Sequence, residues 1–307
     1  MRGLVPLVLV LALLILAAPA RAPLPGSMTA PSWTAGDFWD YRFNTSFGGF
    51  VWFNGTLHTE IAGAENRTVR GVAQDVYVVD TTGSGAVDAS GANGTWTLTG
   101  EQLVSAGPRV VVRNLLRLDA RGTFGLGLPF GVQWTNRTET RITRNDWAYP
   151  VPLGFSGAMS LNASFVETVH VTFGRNETWT NTSLETDVGL AVSLPGTDTI
   201  LVPAGSFETF VIRETWPDGS GQRFDYAPRA GNNARTRTFN GTGGEVARTE
   251  LVSYRYRAGQ PPDPLGTWLL LAGVAAIAVI VPTGWLVLRR RRREREYVPP
   301  SIREPPT

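Results

Sequence analysis

Two apolar runs bracket this chain, and between them hydrophobic and polar positions alternate with a period of two. Phe165, Val169, Val171 and Phe173 fall on one face and Thr168, His170 and Thr172 on the other, with Glu167 out of pattern on the apolar side. Residues 208–216 repeat the arrangement: Phe210, Ile212 and Trp216 share the apolar face, and Glu214 is its exception. Val110, Val112, Leu116 and Leu118 oppose Arg109, Arg113 and Arg117, while Val252, Tyr254 and Tyr256 oppose Leu251, Ser253 and Arg255. Such alternation marks antiparallel strands that bury one face and wet the other. Turn-forming clusters punctuate them at Gly83-Ser84-Gly85, Gly91-Ala92-Asn93-Gly94, Pro217-Asp218-Gly219 and Asn240-Gly241-Thr242-Gly243-Gly244. No segment between the two runs has a 3.6-residue period. The pattern fits an all-β sandwich, barrel or half-barrel, and an antiparallel sandwich or half-barrel over residues 23–257 is expected. Pro150 and Pro152 would interrupt a central strand, so a subdivision near residue 150 is the alternative to one large domain.

The two runs themselves differ in kind. The first, residues 4–18, follows Arg2 and ends in Ala18-Pro19-Ala20 and Ala20-Arg21-Ala22. Charge, short apolar core and small residues in that order form a secretory signal, ending after residue 20 or 22, so that residues 1–22 are assigned to it. An uncleaved anchor is the rival reading, but the run is shorter than the roughly 20 residues that span hydrocarbon. The second run, residues 265–288, has 24 residues without a charge. Trp268 and Trp285 near its ends suit the membrane interface, and Pro282 and Gly284 are tolerated in a spanning helix. Arg289, Arg290, Arg291, Arg292 and Arg293 follow it directly as a stop-transfer cluster that keeps the C-terminus in the cytoplasm. Residues 258–264, with Pro261, Pro262 and Pro264, read as a stiff stalk, and residues 289–307 as a cytoplasmic tail too short to fold alone. The expected topology is a single-pass protein of the cell membrane with its β domain outside and the bilayer as a partner.

Charge follows the same division. Residues 23–264 carry 19 Arg against 23 Asp plus Glu, whereas the tail carries 7 Arg and 3 Glu. The basic excess therefore belongs to the signal and tail, where it orients the helix and attracts anionic lipid heads, and no nucleic-acid face is implied. Cys is absent, which removes disulfides, thiol chemistry and thiolate-ligated metals.

Thirteen Asn occur, and nine open an N-x-S/T triplet: Asn44, Asn54, Asn66, Asn93, Asn136, Asn162, Asn176, Asn181 and Asn240. All lie between the signal and the spanning helix, where they are candidate glycosylation acceptors with side chains in solvent. Catalytic chemistry is sparse by comparison. His58 and Glu60 share a strand face opposite Leu57, Thr59 and Ile61, an H-x-E pair that could supply two metal ligands but more often is simply solvated. His170 is the only other His. No G-x-S-x-G elbow, no S-x-x-K and no phosphate-binding glycine loop occur, and no cofactor is implied. The densest feature is aromatic: Phe38, Trp39, Tyr41, Phe43, Phe47, Phe50, Trp52 and Phe53 fall within sixteen residues. Trp39, Tyr41 and Phe43 share one parity, as core residues do; Phe38, Trp39 and Trp52 are the candidates for stacking on sugars or holding an apolar ligand.

Four short motifs occur in order: Gly36-Asp37-Phe38-Trp39-Asp40-Tyr41, Val202-Pro203-Ala204-Gly205-Ser206-Phe207, Tyr226-Ala227-Pro228 followed by Gly231, and Glu250-Leu251-Val252-Ser253-Tyr254. Together they resemble uncharacterised exported β-rich proteins of archaeal and bacterial surfaces, some of which look like half-barrel carriers of lipoproteins and lipids. The aromatic usual before the motif tyrosine is Asp225 here. The resemblance implies a curved sheet and carries over no catalytic residue. The expected role is a non-enzymatic binding or envelope-structural module, partnered by surface glycans, lipids or envelope proteins. Carriage of an apolar or lipid-like ligand in a concave sheet is the second reading, and hydrolysis of envelope sugars or peptides the third.

Overall fold

The computed structural model describes residues 26–47, 51–89, 91–106, 110–124 and 127–257. The expected signal peptide, stalk, spanning helix and arginine cluster at 289–293 lie outside the described residues. Among the described residues no helix is long and apolar enough to cross a membrane.

Fourteen strands account for most of the described chain: β1 (Ser27–Met28), β2 (Phe38–Phe47), β3 (Val51–Val69), β4 (Val72–Ala89), β5 (Ala92–Ser105), β6 (Val111–Phe124), β7 (Leu128–Asn145), β8 (Val151–Pro152), β9 (Phe155–Phe173), β10 (Asn176–Val202), β11 (Gly205–Thr215), β12 (Gly221–Ala227), β13 (Asn232–Phe239) and β14 (Glu245–Arg255). β1 and β8 form a small ladder of their own. The other twelve pair antiparallel with their chain neighbours, and β14 then pairs with β2, so the sheet closes into a barrel. The expectation of an all-β antiparallel domain holds, but the sandwich or half-barrel gives way to a closed barrel. Alternation along each strand fixes which face is buried and leaves open whether the first strand meets the last. The chain on both sides of Pro150 contributes strands to the same barrel.

Closure is staggered, as it must be when strands tilt. From Phe43 the register runs through Gly55, Gly85, Trp96, Ala120, Val132 and Val171 to Thr178 on β10. In the other direction it runs through Thr249, Thr236 and Phe224 to Ile212, which meets β10 between Ser193 and Gly196. The offset leaves the first half of β10 paired with β9 alone.

The apolar faces point inward. Trp39, Trp96, Trp134, Tyr41, Tyr226, Phe43 and Phe224 are fully buried and belong to one continuous core, and Phe165 is fully buried as well. Burying each such side chain stabilises the fold by about 1.5–3 kcal/mol. Phe210, Ile212, Trp216, Leu116 and Leu118 are buried as their parity requires. Val252 departs from its expected face: a bulge between Leu251 and Ser253 turns it out to solvent and puts Leu251 inside against Tyr41.

Gly83-Ser84-Gly85 is no turn; it lies in the middle of β4. Gly55 and Gly85 face one another across β3 and β4, and each lies so close to the opposite backbone that a Cβ has no room. The indole of Trp96 lies over this gap and donates from Nε1 to Asn54 O and Ala86 O, both at 3.2 Å. Phe43 meets the same indole edge to face at 5.7 Å. The glycines are there because an indole and a neighbouring backbone occupy the space of their side chains.

The four motifs of the sequence converge on one rim of the barrel. Asp37 is buried and accepts backbone N–H bonds from Thr34 and Arg257, fixing the entry and exit of the domain side by side. Trp39 donates from its indole to Ala230 O at 2.7 Å, and Trp33 to Gly231 O at 3.0 Å. Those carbonyls belong to the turn after β12, where Gly231 takes a left-handed conformation (φ 62°) with Tyr256 packed where a Cβ would stand. The turn between β10 and β11 joins them through Ala204 N–H donating to Leu251 O, and Phe207 packs on Tyr254. The motif residues thus tie the two ends of the barrel sheet together.

Replacing Gly85 by Ala forces a methyl into the backbone of Asn54, and overpacking of this kind costs about 1–3 kcal/mol. Urea unfolding of Gly85→Ala is expected to show that loss, while Gly189→Ala, at an exposed strand position with ordinary backbone and open space around it, is expected to lose less; equal losses would show that the cradle does not constrain the fold.

Candidate functional site

The three aromatic candidates separate. Trp39 is inside, locked by its bond to Ala230. Phe38 and Trp52 are on the outer face. Phe38 is half-buried between the His58 ring and the Arg255 guanidinium, whereas Trp52 is exposed. Eight residues of β2 separate Phe38 from Ser46, the partner of Trp52, which is about 26 Å at about 3.3 Å per residue. They do not form one site, and the core that a ligand would share with Trp39 is filled.

The sequons sort by the same parity. Asn44, Asn54, Asn66, Asn93, Asn176, Asn181 and Asn240 are exposed and Asn162 is half-buried. Asn136 differs: it is 4% exposed, faces the interior of β7, and accepts a bond from Thr138, the hydroxyl residue of its own triplet. A glycan has no space there, so eight of the nine sites fit the fold.

The register assembles what sequence reading did not find. On the outer face Arg213, Arg223, Arg237 and Arg248 stand directly opposite one another on β11, β12, β13 and β14, and the row continues to Asn44 and Asn54. Like charges in register repel, so neighbouring carboxylates compensate. Asp225 is wholly buried between Arg223 and Arg235, accepting from each at 2.7 Å, and Arg223 also donates to Asp198. Two cations are left over. Arg213 is exposed with no ion-pair partner among the described residues, and Arg237 reaches only Glu245, at 3.9 Å, with its Nε buried and lacking an acceptor. Burial and the Arg235 and Arg223 charges push the Arg237 guanidinium down from its usual range. At the far end of the row a groove of about 690 Å³ opens beside Trp52, rimmed by Arg42, Asn44, Asn54, Arg248 and Glu250. The i, i+2 pair Arg235 and Arg237 was visible in the sequence, but the row depends on which strands pair.

A polar ladder near Phe38 has the ingredients of nucleophilic catalysis in the wrong order. Ser253 Oγ donates to Asp40, whose other oxygen lies 2.7 Å from His58 Nδ1; His58 Nε2 faces Glu60 at 3.5 Å. A nucleophilic serine needs the imidazole as its neighbour and the carboxylate behind it. Here the carboxylate stands between them, so Ser253 has no base. Both ring nitrogens of His58 face carboxylates, and no cluster of three or more metal-ligating side chains suited to a metal ion is found among the described residues. His170 lies flat on Trp179 at 3.9 Å between ring centres.

The two carboxylates that broke the apolar pattern are both inside. Glu167 accepts from Trp134 Nε1 at 2.6 Å, and burial still raises its pKa. Glu214 has neither oxygen bonded, and its cross-strand neighbour Gln222 also keeps an unpartnered Oε1. Burial pushes the Glu214 carboxyl up to about 8. A shifted acid can mark a catalytic site when it opens into a cleft beside a partner; Glu214 is 2% exposed, and its shift comes from burial.

No protein-family model, curated protein or solved structure matches the chain.

Because Glu214 holds its proton in the fold up to about pH 8 but loses it near its ordinary value of 4.5 when unfolded, stability falls as pH rises through that window. At 1.36 kcal/mol per unit the loss approaches about 5 kcal/mol. Chemical denaturation of wild type between pH 5 and 8 is expected to show this fall and Glu214→Gln to flatten it; parallel profiles would exclude Glu214 as its cause.

Proposed function

We propose that this chain is a membrane-tethered, N-glycosylated cell-surface protein whose β-barrel acts by binding or as a structural part of the envelope, not by catalysis. The observation that carries the reading is the outward placement of eight sequon asparagines on a barrel whose inward faces are apolar. A barrel that crosses a membrane carries its apolar band outside; here the outer face bears Arg, Glu, Asp, Thr and Asn, as a solvated surface does. The last described residues, Tyr256 and Arg257, leave from the rim where the motifs meet, so a stalk beginning there would set that rim toward the bilayer and the turns after β9, β11 and β13 away from it. The resemblance to exported surface proteins agrees with this placement.

Binding is assigned to the outer face of β11, β12 and β13. These strands carry no sequon, so glycans elsewhere leave them bare, and they hold Arg213 and Arg237 with unspent charge. The partner that fits is an anionic polymer of the envelope. The carrier reading needs an open apolar trough, and the described interior is closed and occupied by tryptophan, tyrosine and phenylalanine side chains. Among the described residues the hydrolase reading finds Ser253 without a base, and the directly opposed carboxylates Glu60, Asp80 and Glu101 stand on the outer wall with Asp80 exposed.

Two measurements test this. Glycopeptide mass spectrometry of protein from its own cells, with protease shaving of intact cells, is expected to find residues 26–257 accessible and outward sequons modified, with Asn136 bare. Protection of the domain, or a glycan on Asn136, would overturn the topology or the fold. Full-length protein in detergent is expected to bind dextran sulfate in a salt-sensitive manner, and Arg213→Glu with Arg237→Glu to weaken it about tenfold or more; unchanged binding would remove the arginine face from the function.

A further inference from the structure

Eight of the ten tryptophans lie in the described residues, and Trp33, Trp39, Trp96, Trp134, Trp147 and Trp216 are buried. The two that are not share one sequence position. Trp52, 44% exposed, and Trp179, 59% exposed, each stand two residues before a sequon asparagine, in Trp52-Phe53-Asn54-Gly55-Thr56 and Trp179-Thr180-Asn181-Thr182-Ser183. Residues i and i+2 of a strand project from the same face about 6.6 Å apart. Pairing is regular at both places, Trp52 with Asp88 and Asn54 with Ala86, Trp179 with His170 and Asn181 with Thr168. Each indole is therefore the outward neighbour of its asparagine. Trp134-Thr135-Asn136 repeats the spacing on an inward face, and there the indole is buried and bonded to Glu167. The spacing alone does not expose a tryptophan; it is exposed where the asparagine is.

An indole in water leaves a large apolar surface uncovered. A sugar linked to the adjacent asparagine is the one group whose attachment point is fixed within reach of it. A pyranose offers a face of C–H bonds for the ring and an edge of hydroxyls for polar neighbours. The surroundings of Trp52 match both: the groove of about 690 Å³ beside it is rimmed by Arg42, Asn44, Arg248 and Glu250, which can donate to or accept from hydroxyls. Trp179 has one face against His170, at 3.9 Å, and remains the more exposed of the two, so its other face is open.

We propose that Trp52 and Trp179 are stacking platforms for the first sugars of glycans on Asn54 and Asn181, with the Asn54 glycan lying in the groove between β14, β2 and β3. The proposal rests on the glycosylation reading above and adds what the glycans touch. Their stacking pins sugar to the barrel wall, covers two exposed indoles, and couples modification to stability.

The test uses full-length protein purified from its own cells. Glycopeptide mass spectrometry first establishes occupancy at Asn54 and Asn181. Unfolding is then compared for wild type, Asn54→Gln, Trp52→Ala and the double variant, and likewise for Asn181→Gln and Trp179→Ala. Stacking predicts that Asn54→Gln raises the unfolding constant about three- to tenfold in the wild-type background and hardly at all in Trp52→Ala. Acrylamide quenching is expected to rise in Asn54→Gln and not in the double variant, and Trp52→Phe to keep part of the coupling. Occupied sites with additive effects and unchanged quenching would overturn the platforms and leave glycosylation standing. Unmodified Asn54 and Asn181 would overturn the glycosylation reading at these positions and the platforms with it.

Discussion

The pairing of the last strand with the first is the constraint on which the rest of this structure depends. Open, the sheet would present β2 and β14 as edges with unpaired backbone groups, ready to add another chain. Closed, it leaves the first half of β10, the part of β3 beyond Ile61 and the strand tips unpaired on one side within the described barrel. The closing contact joins residues about 210 apart, such as Phe43 with Thr249, and so has the highest entropic cost of any ladder in the sheet. It is reinforced where that cost is greatest. Two indoles from the N-terminal side bond to the turn after β12, and Asp37 holds both Thr34 and Arg257. The motif residues are legible as a group because they act as a group, on one rim, at the seam.

Closure also decides what kind of function the domain can have. A twelve-stranded barrel encloses enough space for a ligand unless side chains fill it. Here tryptophan, tyrosine and phenylalanine side chains fill it, and some inward polar atoms, both Glu214 carboxyl oxygens, Gln222 Oε1, Thr236 Oγ1 and Thr249 Oγ1 among them, lack a hydrogen-bond partner. Such groups weaken the core and make it pH-sensitive without giving it a mouth. The binding proposed above is therefore placed on the outer wall, where the register lines up four arginines from the consecutive strands β11, β12, β13 and β14.

Much of the fold was readable from alternation. Trp39, Tyr41 and Phe43 lie inside and His58 and Glu60 outside because a strand admits only two faces. Glu167 and Glu214 stood out as carboxylates on apolar faces and are buried. The misreadings have a common cause, which is that they depended on the neighbouring strand. Gly83-Ser84-Gly85 looks like a turn until Trp96 arrives from β5 to occupy the space, and Val252 looks inward until a bulge opposite Tyr41 flips it. Asn136 is a good sequon whose parity matches that of the buried Trp134 and Thr138, a sign that was present and is decisive only once β7 is known to face inward there. The arginine row could not be found by any reading of one segment.

The Ser253–Asp40–His58 ladder shows why composition of a cluster is weaker evidence than its order. All three residue types of a hydrolytic triad lie on one outward patch, and a list of neighbours would score it as a site. Asp40 accepts from both sides, so its charge is spent on Ser253 and His58 at once. Glu60 faces the far imidazole nitrogen at 3.5 Å, so each ring nitrogen of His58 meets a carboxylate and neither meets Ser253. Seen on the strands, Ser253, Asp40 and His58 are simply directly opposed residues of β14, β2 and β3, pairing across the closing seam. Their hydrogen bonds tie together the three strands on which closure depends, which is the structural work that the neighbouring motifs also perform.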